Sequence, residues 1–297
     1  MTIQIGINPI SWSNDDLQSL GGATPLETCL GEIKQAGYAG LELYHKCPRQ
    51  PEALQAAVAP YGLKIVSGWY SGRLLERDAD AEIAALQDHL NLLKAMDCQV
   101  MVWAEVTGCV HGDIDTPVSQ RPVIRDEQWP EFAERMTKVA DYLRDQGIAM
   151  AYHHHMGTVI ETEAEVDRLM AETGPSVGLL LDTGHLVFAG GDPYATLERH
   201  RDRVVHVHCK DIRADVLARA KAEGWSFLNG VIEGVFTVPG DGSIDYQRVA
   251  DILAAQDYSG WLVVEAEQDP DKANPLQYAT MGHQHLEQVA RKAGLLA

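Results

Sequence analysis

Short apolar runs rich in Ile, Val and Leu alternate along the chain with longer segments whose apolar residues recur at three- and four-residue spacing. The first kind of run suits a strand buried on both faces, and the second lays one face of a helix on a core, so the alternation predicts βα units around a parallel sheet. Strands are predicted at Ile3–Asn8, Gly40–Tyr44, Lys64–Gly68, Gln99–Ala104, Ile148–His153, Val177–Asp182, Val204–His208 and Trp261–Glu265. About eight parallel strands is the number that closes a (β/α)8 TIM barrel. Helices are predicted at Leu26–Ala36, Pro51–Ala59, Asp80–Met96, Glu127–Gln146, Glu163–Thr173, Pro193–Arg199, Tyr246–Ala255 and Pro275–Lys292. Punctuation agrees with the period: Thr24–Pro25 opens the first helix and Ala36–Gly37 ends it. No linker or repeat beyond the βα unit divides residues 1–297, so one domain is expected. Two connections are too long for simple joints, about 106–124 and 212–243, and both follow strand C-termini, which marks them as lid-like loops.

Composition narrows the partners. The chain has 297 residues, 45% of them apolar, and a formal net charge of -19 from 43 acidic against 24 basic residues. Such a surface repels phosphate backbones and anionic headgroups, so neither nucleic acid nor a membrane is an expected partner. No apolar run approaches the roughly 20 residues of a membrane span, and Met1 to Ile10 lacks the basic-then-apolar pattern of a secretory leader, so a cytoplasmic location is expected. The five scattered cysteines, with no closely spaced pair among them, read as free thiols. The outward face of Gln277–Lys292 is a candidate surface for a homo-oligomer.

In a parallel barrel all strand C-termini open on one mouth, so polar residues there converge however distant they are in sequence. They are numerous: Asn8 and Trp12; Glu42 and His45; Trp69 and Tyr70; Glu105; His153, His154 and His155; Asp182 and His185; His206, His208 and Lys210; Glu265 and Glu267. The sixth strand is apolar until Asp182, which suits either a helix cap or a ligand. On the seventh, alternation puts His206, His208 and Lys210 on one face. The eighth ends in Glu265 and Glu267, pointing the same way. Carboxylates gathered at one mouth repel one another unless a cation neutralises them, and mixed Asp, Glu and His donors suit Mn, Co, Fe or Zn better than a cysteine-rich structural zinc site. On the fifth strand His153 and His155 share one face and His154 the other. Glu161, past the Gly157–Thr158 turn, either folds back toward the mouth or serves as a first-turn acid of the next helix.

Through Leu181-Asp182-Thr-Gly-His185, His208-Cys-Lys210-Asp211 and Val264-Glu265 the sequence resembles the xylose isomerase-like barrel superfamily. That resemblance implies a divalent metal held by Asp182, His208 and Glu265, with Lys210 beside it to polarise or protonate substrate oxygen. The fourth ligand of many relatives is a glutamate on the fifth strand, where this chain has His153, so the resemblance leaves His153 or Glu161, and Glu161 is the expected one. Longer strings resemble the inosose dehydratases within that superfamily: Gly6-Ile-Asn8-Pro-Ile-Ser-Trp12, Ser67-Gly-Trp69-Tyr70-Ser-Gly-Arg73, Tyr152-His153-His-His155-Met-Gly-Thr158 and Gly234-Val-Phe-Thr-Val-Pro-Gly240-Asp-Gly242.

This second resemblance implies a hydro-lyase of myo-inositol catabolism that takes water from 2-keto-myo-inositol (scyllo-inosose), a polyol ketone, to give a trihydroxycyclohexane-1,2-dione. It also implies Mn2+ or Co2+, with glutathione as a further requirement. Proton removal alpha to the carbonyl needs a base, expected to be His155, with His153 and Glu267 as alternatives. Lys210 is expected to protonate the departing hydroxyl, and Asn8, Trp12, Glu42, Trp69, Tyr70, Glu105, His185 and Glu267 to surround the ring. The alternatives are a keto-sugar isomerase or epimerase, which returns the proton elsewhere, and a non-catalytic sugar-binding barrel. An endonuclease would need a basic track that this acidic chain lacks.

Overall fold

A computed structural model describes residues 3–296. Its strands are β1 (Ile3–Ile7), β2 (Gly40–Leu43), β3 (Lys64–Gly72), β4 (Val100–Glu105), β5 (Ala149–His153), β6 (Val177–Asp182), β7 (Val204–Cys209), β8 (Asp211–Ile212), β9 (Phe236–Thr237) and β10 (Gly260–Val264). Eight of them close a parallel barrel in the order β1-β10-β7-β6-β5-β4-β3-β2, and β8 with β9 forms a separate antiparallel ribbon. The barrel is therefore the one that the eight apolar runs predict.

Inside the barrel the lower layers are apolar and tight. Trp261 of β10 passes over Gly6 and Gly40, where an added Cβ would lie 3.2 and 3.1 Å from the indole. Above it Val100, Val102, Ala151 and Leu180 pack together. The polar residues thus collect toward the C-terminal rim, above an apolar floor. The register places Asp182 directly opposite His208, and Val263 opposite His208 on the other side.

Most predicted helices form, three of them with the same limits as predicted: Leu26–Ala36, Pro193–Arg199 and Tyr246–Ala255. The expected helix 80–96 is two, Ala79–Ala85 and Gln87–Ala95, joined at Leu86. The second long connection is no plain loop, for it contains helices Ala214–Glu223 and Phe227–Ile232 besides the ribbon. The first, 106–124, has a single 3-10 turn at Val118–Gln120. The two meet: Val118 N–H donates to the Trp225 carbonyl at 3.2 Å, and the Asn229 amide donates to the Ile114 carbonyl at 3.1 Å. Helix Thr183–Ala189 escapes the sequence pattern because nearly all of it is buried and no polar face marks its period.

The cysteines are free, as expected. Among the described residues no helix is long and apolar enough to cross a membrane.

Candidate functional site

Four side chains converge at the mouth, His153, Asp182 and His208 from β5, β6 and β7 and Glu265 from the residue after β10. His208 Nδ1 lies 2.9 Å from Glu265 Oε2 and 3.6 Å from Asp182 Oδ2, and His153 Nε2 lies 3.7 Å from both carboxylates. Donors that each lie about 2.1 Å from a common ion keep such separations from one another. Each donor atom is also prepared by its other contacts. His153 Nδ1 is 2.6 Å from the His154 carbonyl, which can only accept, so the proton sits there and Nε2 keeps its lone pair. Asp182 uses Oδ1 to cap helix Thr183–Ala189 through the His185 N–H, 2.8 Å away, and so is both cap and candidate ligand. His208 Nε2 faces Glu42 at 3.1 Å, which frees Nδ1. His153 Nε2 and Asp182 Oδ2 are buried and have no hydrogen-bond partner among the described residues, so this donor set fits a divalent cation.

The fourth member is His153 rather than the expected Glu161. Glu161 accepts the Gly157 N–H at 2.7 Å and pairs with Arg121 at 3.3 Å, outside the group of four. Burial pushes its carboxyl up to about 7 against the pull of Gly157 and Arg121. Arg121 carried no sequence signal beyond its place in the long loop.

Charge within the cluster follows from burial and neighbours. Burial would depress His208, but the Glu265 and Glu42 carboxylates outweigh it and hold the imidazole well above its ordinary range. Burial likewise opposes ionisation of Glu265, yet His208 and Lys210 keep it well below the usual carboxylate range. Burial raises Asp182 despite Lys210. The carboxylates that favour a proton on His208 would also favour a cation between the same groups, and proton and metal would then compete for Nδ1.

Beside the cluster a pocket is walled by Asn8, Ile10, Asp15, Asp16, Leu43, Trp69, His111, His155, Glu265 and Glu267. His155 Nδ1 donates to the Met156 carbonyl at 2.8 Å, leaving Nε2 unprotonated, and burial with the neighbouring His111 and His153 holds the ring neutral. Lys210 is fully buried, with its ammonium 2.8 Å from Glu267, 2.9 Å from His185 Nε2, 3.2 Å from Glu265 and 4.8 Å from the Phe236 ring. The close approach explains Gly184, where a Cβ would meet Lys210 Cγ at 2.6 Å. Glu267 also accepts from Asn14 at 3.2 Å.

Several expected ring contacts lie elsewhere. Trp12 is buried in the core and donates to Glu32 at 2.6 Å. The third strand runs on to Gly72, past the predicted end at Gly68, so Trp69 points inward and Tyr70 outward, to Glu82 at 2.6 Å. Glu105 also faces outward, accepting from the Leu74 and Thr107 N–H groups, and burial pushes its carboxyl up to about 7. His185 stands behind Lys210, its ring centroid 4.0 Å from that of His155. Glu42 lies below the mouth, bonded to Asn8, Ser67, His206 and His208. Conversely Asp16 and His111 are on the wall without having been singled out; both sit in loops after strand C-termini, the only signal available. Burial and Asp15 push the Asp16 carboxyl up to about 6.

Residues 30–289 match the family model of the xylose isomerase-like TIM barrel. The chain is 52% identical over 294 residues to the rhizopine catabolism protein MocC of Rhizobium meliloti, covering 99% of this chain and 90% of that one. It is 42% identical to the inosose dehydratase of Geobacillus thermodenitrificans, covering 97% of each. Among solved structures an L-ribulose 3-epimerase superposes with a TM-score of 0.68 at 18% identity over 99% of this chain and 98% of that one, a likeness of fold. The chain thus belongs to the xylose isomerase-like TIM barrel family and, within it, to the group that holds the inosose dehydratases and the rhizopine catabolism protein.

Proposed function

We propose that the protein is a metal-dependent hydro-lyase that removes water from 2-keto-myo-inositol to give a trihydroxycyclohexane-1,2-dione. The observation that carries this reading is the meeting of His153 Nε2, Asp182 Oδ2, His208 Nδ1 and Glu265 Oε2 beside a pocket walled by His155. Full-length identity of about 40% to proteins named inosose dehydratase supports it. A divalent ion in those four donors, Mn2+ or Co2+, supplies Lewis-acid polarisation of a carbonyl.

The chain's own residues do the rest. Asn8 and the Trp69 face hold the hydroxylated ring. His155 Nε2 takes the proton alpha to the carbonyl. Glu267, on the wall and backed by the Lys210 ammonium, passes a proton to the departing hydroxyl, which leaves as water while a carbon–carbon double bond forms in its place. The enol so produced becomes the dione by tautomerisation. The two long connections, 106–124 and 212–243, act as lids that keep bulk water from this exchange.

The test is to chelate the protein, restore Mn2+ or Co2+ singly, with and without glutathione, and follow the absorbing dione from scyllo-inosose. Metal-dependent dione formation is expected. A product that retains the water would make the protein an isomerase or epimerase, and binding without conversion would make it a sugar-binding barrel. The 52% identity to the rhizopine catabolism protein favours a second reading, a substrate from rhizopine breakdown; turnover of such a compound with none of scyllo-inosose would establish it.

A further inference from the structure

Four imidazoles run in a row from the metal donors toward the first lid: His208 to His153, His153 to His155 and His155 to His111, with centroids 5.0, 5.4 and 5.0 Å apart. Trp69 lies alongside, its ring 5.5 Å from His153, 5.6 Å from His155 and 6.4 Å from His111. His111 is the one member borne by a long loop, and it lines the same pocket as His155. Its Nε2 lies 3.6 Å from Asp16 Oδ1, on the loop after β1. Its Nδ1 is buried and has no hydrogen-bond partner among the described residues, and buried polar atoms in folded proteins are nearly always paired.

The loop that carries His111 is seated rather than loose. Val110 N–H donates to the Gly157 carbonyl at 2.9 Å. Gly157 has φ +77, and a Cβ there would meet the His111 backbone N at 2.9 Å. The glycine of the His-Met-Gly-Thr string is therefore the seat of the first lid, and the seat fixes where His111 stands.

We propose that His111, with Asp16 beside it, is a specificity-determining pair that holds a substrate hydroxyl on the side of the ring away from the metal donors. A ring with hydroxyls on successive carbons presents oxygen at both ends, and a hydroxyl can donate to one partner while accepting from another. Asp16 accepts and His111 completes the pair, so the far end of the ring is read by its hydroxyl while the near end is read by its carbonyl. A site built to bond a hydroxyl rejects the analogue that lacks it. The assignment rests on the proposed function only for the identity of the polyol.

The experiment compares wild type with His111→Phe, His111→Gln and Asp16→Asn on scyllo-inosose and on an analogue lacking the hydroxyl opposite the carbonyl. Phenylalanine keeps the ring packing against Trp69 and His155 but removes both nitrogens. It is expected to raise KM about 10-fold with kcat within about 3-fold, and to abolish discrimination between the two substrates, while glutamine restores part of both. Asp16→Asn in the His111→Phe background is expected to add less than it does alone. Unchanged KM in His111→Phe, or discrimination that survives in it, overturns the assignment. A wild type that turns over neither compound overturns the dehydratase reading instead, and protection by myo-inositol against thermal unfolding then decides. Protection in wild type that is lost in His111→Phe supports the pair; equal protection in both, or none in either, refutes it.

Discussion

The two faces of the barrel wall take residues of like chemistry to opposite ends. His153 points inward to Asp182 and Glu265 while His154 points outward; Trp69 lines the pocket while Tyr70 bonds Glu82; Glu265 joins the donors while Glu105 secures the Leu74 turn. Nothing in residue type separates the members of these pairs. Position on a two-residue repeat does, and at the mouth it decides between chemistry and scaffolding.

That contrast is broken most forcefully at the inner rim. Asp182→Ala or His208→Ala is expected to reduce bound metal from one ion per chain to essentially none and to lower turnover at least about 10³-fold, read by metal analysis and initial rates. Normal metal content and rate in either variant would dissolve the distinction between the faces. One layer down, Glu42 is not on the pocket wall but faces His208 Nε2. Glu42→Gln should weaken metal affinity by about 10- to 100-fold, as outer partners of ligating histidines do, with the fold intact by circular dichroism.

The smallest effect on chemistry is expected outside. Glu105 in the native protein is pushed up to about 7, above the ordinary 4.5, so the native state binds its proton more tightly than the unfolded chain does. Its contribution to stability is full below about pH 4.5 and is lost as pH rises through 7. Wild type should lose on the order of 2–3 kcal/mol of stability over that range that Glu105→Gln does not lose, measured by urea unfolding, while metal content stays at the wild-type level. Parallel pH curves for the two proteins would place Glu105 elsewhere than in that outward turn.

The barrel was legible in the sequence because buried strands and amphipathic helices have different periods, and eight apolar runs leave little choice of architecture. The candidate donors Asp182, His208 and Glu265 were legible for a related reason: Asp182 and Glu265 end apolar runs abruptly, His208 falls on the polar face of an alternating strand, and strand ends in such a barrel share one rim. The choice between His153 and Glu161 was not. It turns on whether the chain after Gly157 folds back with its carboxylate free, and the answer lies with Arg121, 40 residues earlier, which pairs with it. Tyr70 was misplaced for want of the true end of β3, since a strand that stopped at Gly68 would have left both aromatics in a loop. Trp12, in the irregular stretch after β1, had no period to show its direction. His111 and Asp16 lie in connections for the same reason silent, and only the meeting of those connections around one pocket gives them meaning.

The central claim is that a single ion is shared by β5, β6, β7 and the segment after β10. Anomalous diffraction from crystals of the Mn2+-loaded protein tests it most directly. One peak within about 2.3 Å of His153 Nε2, Asp182 Oδ2, His208 Nδ1 and Glu265 Oε2 is the predicted result. A peak on Glu161 in place of His153, or none between these four residues, would contradict it.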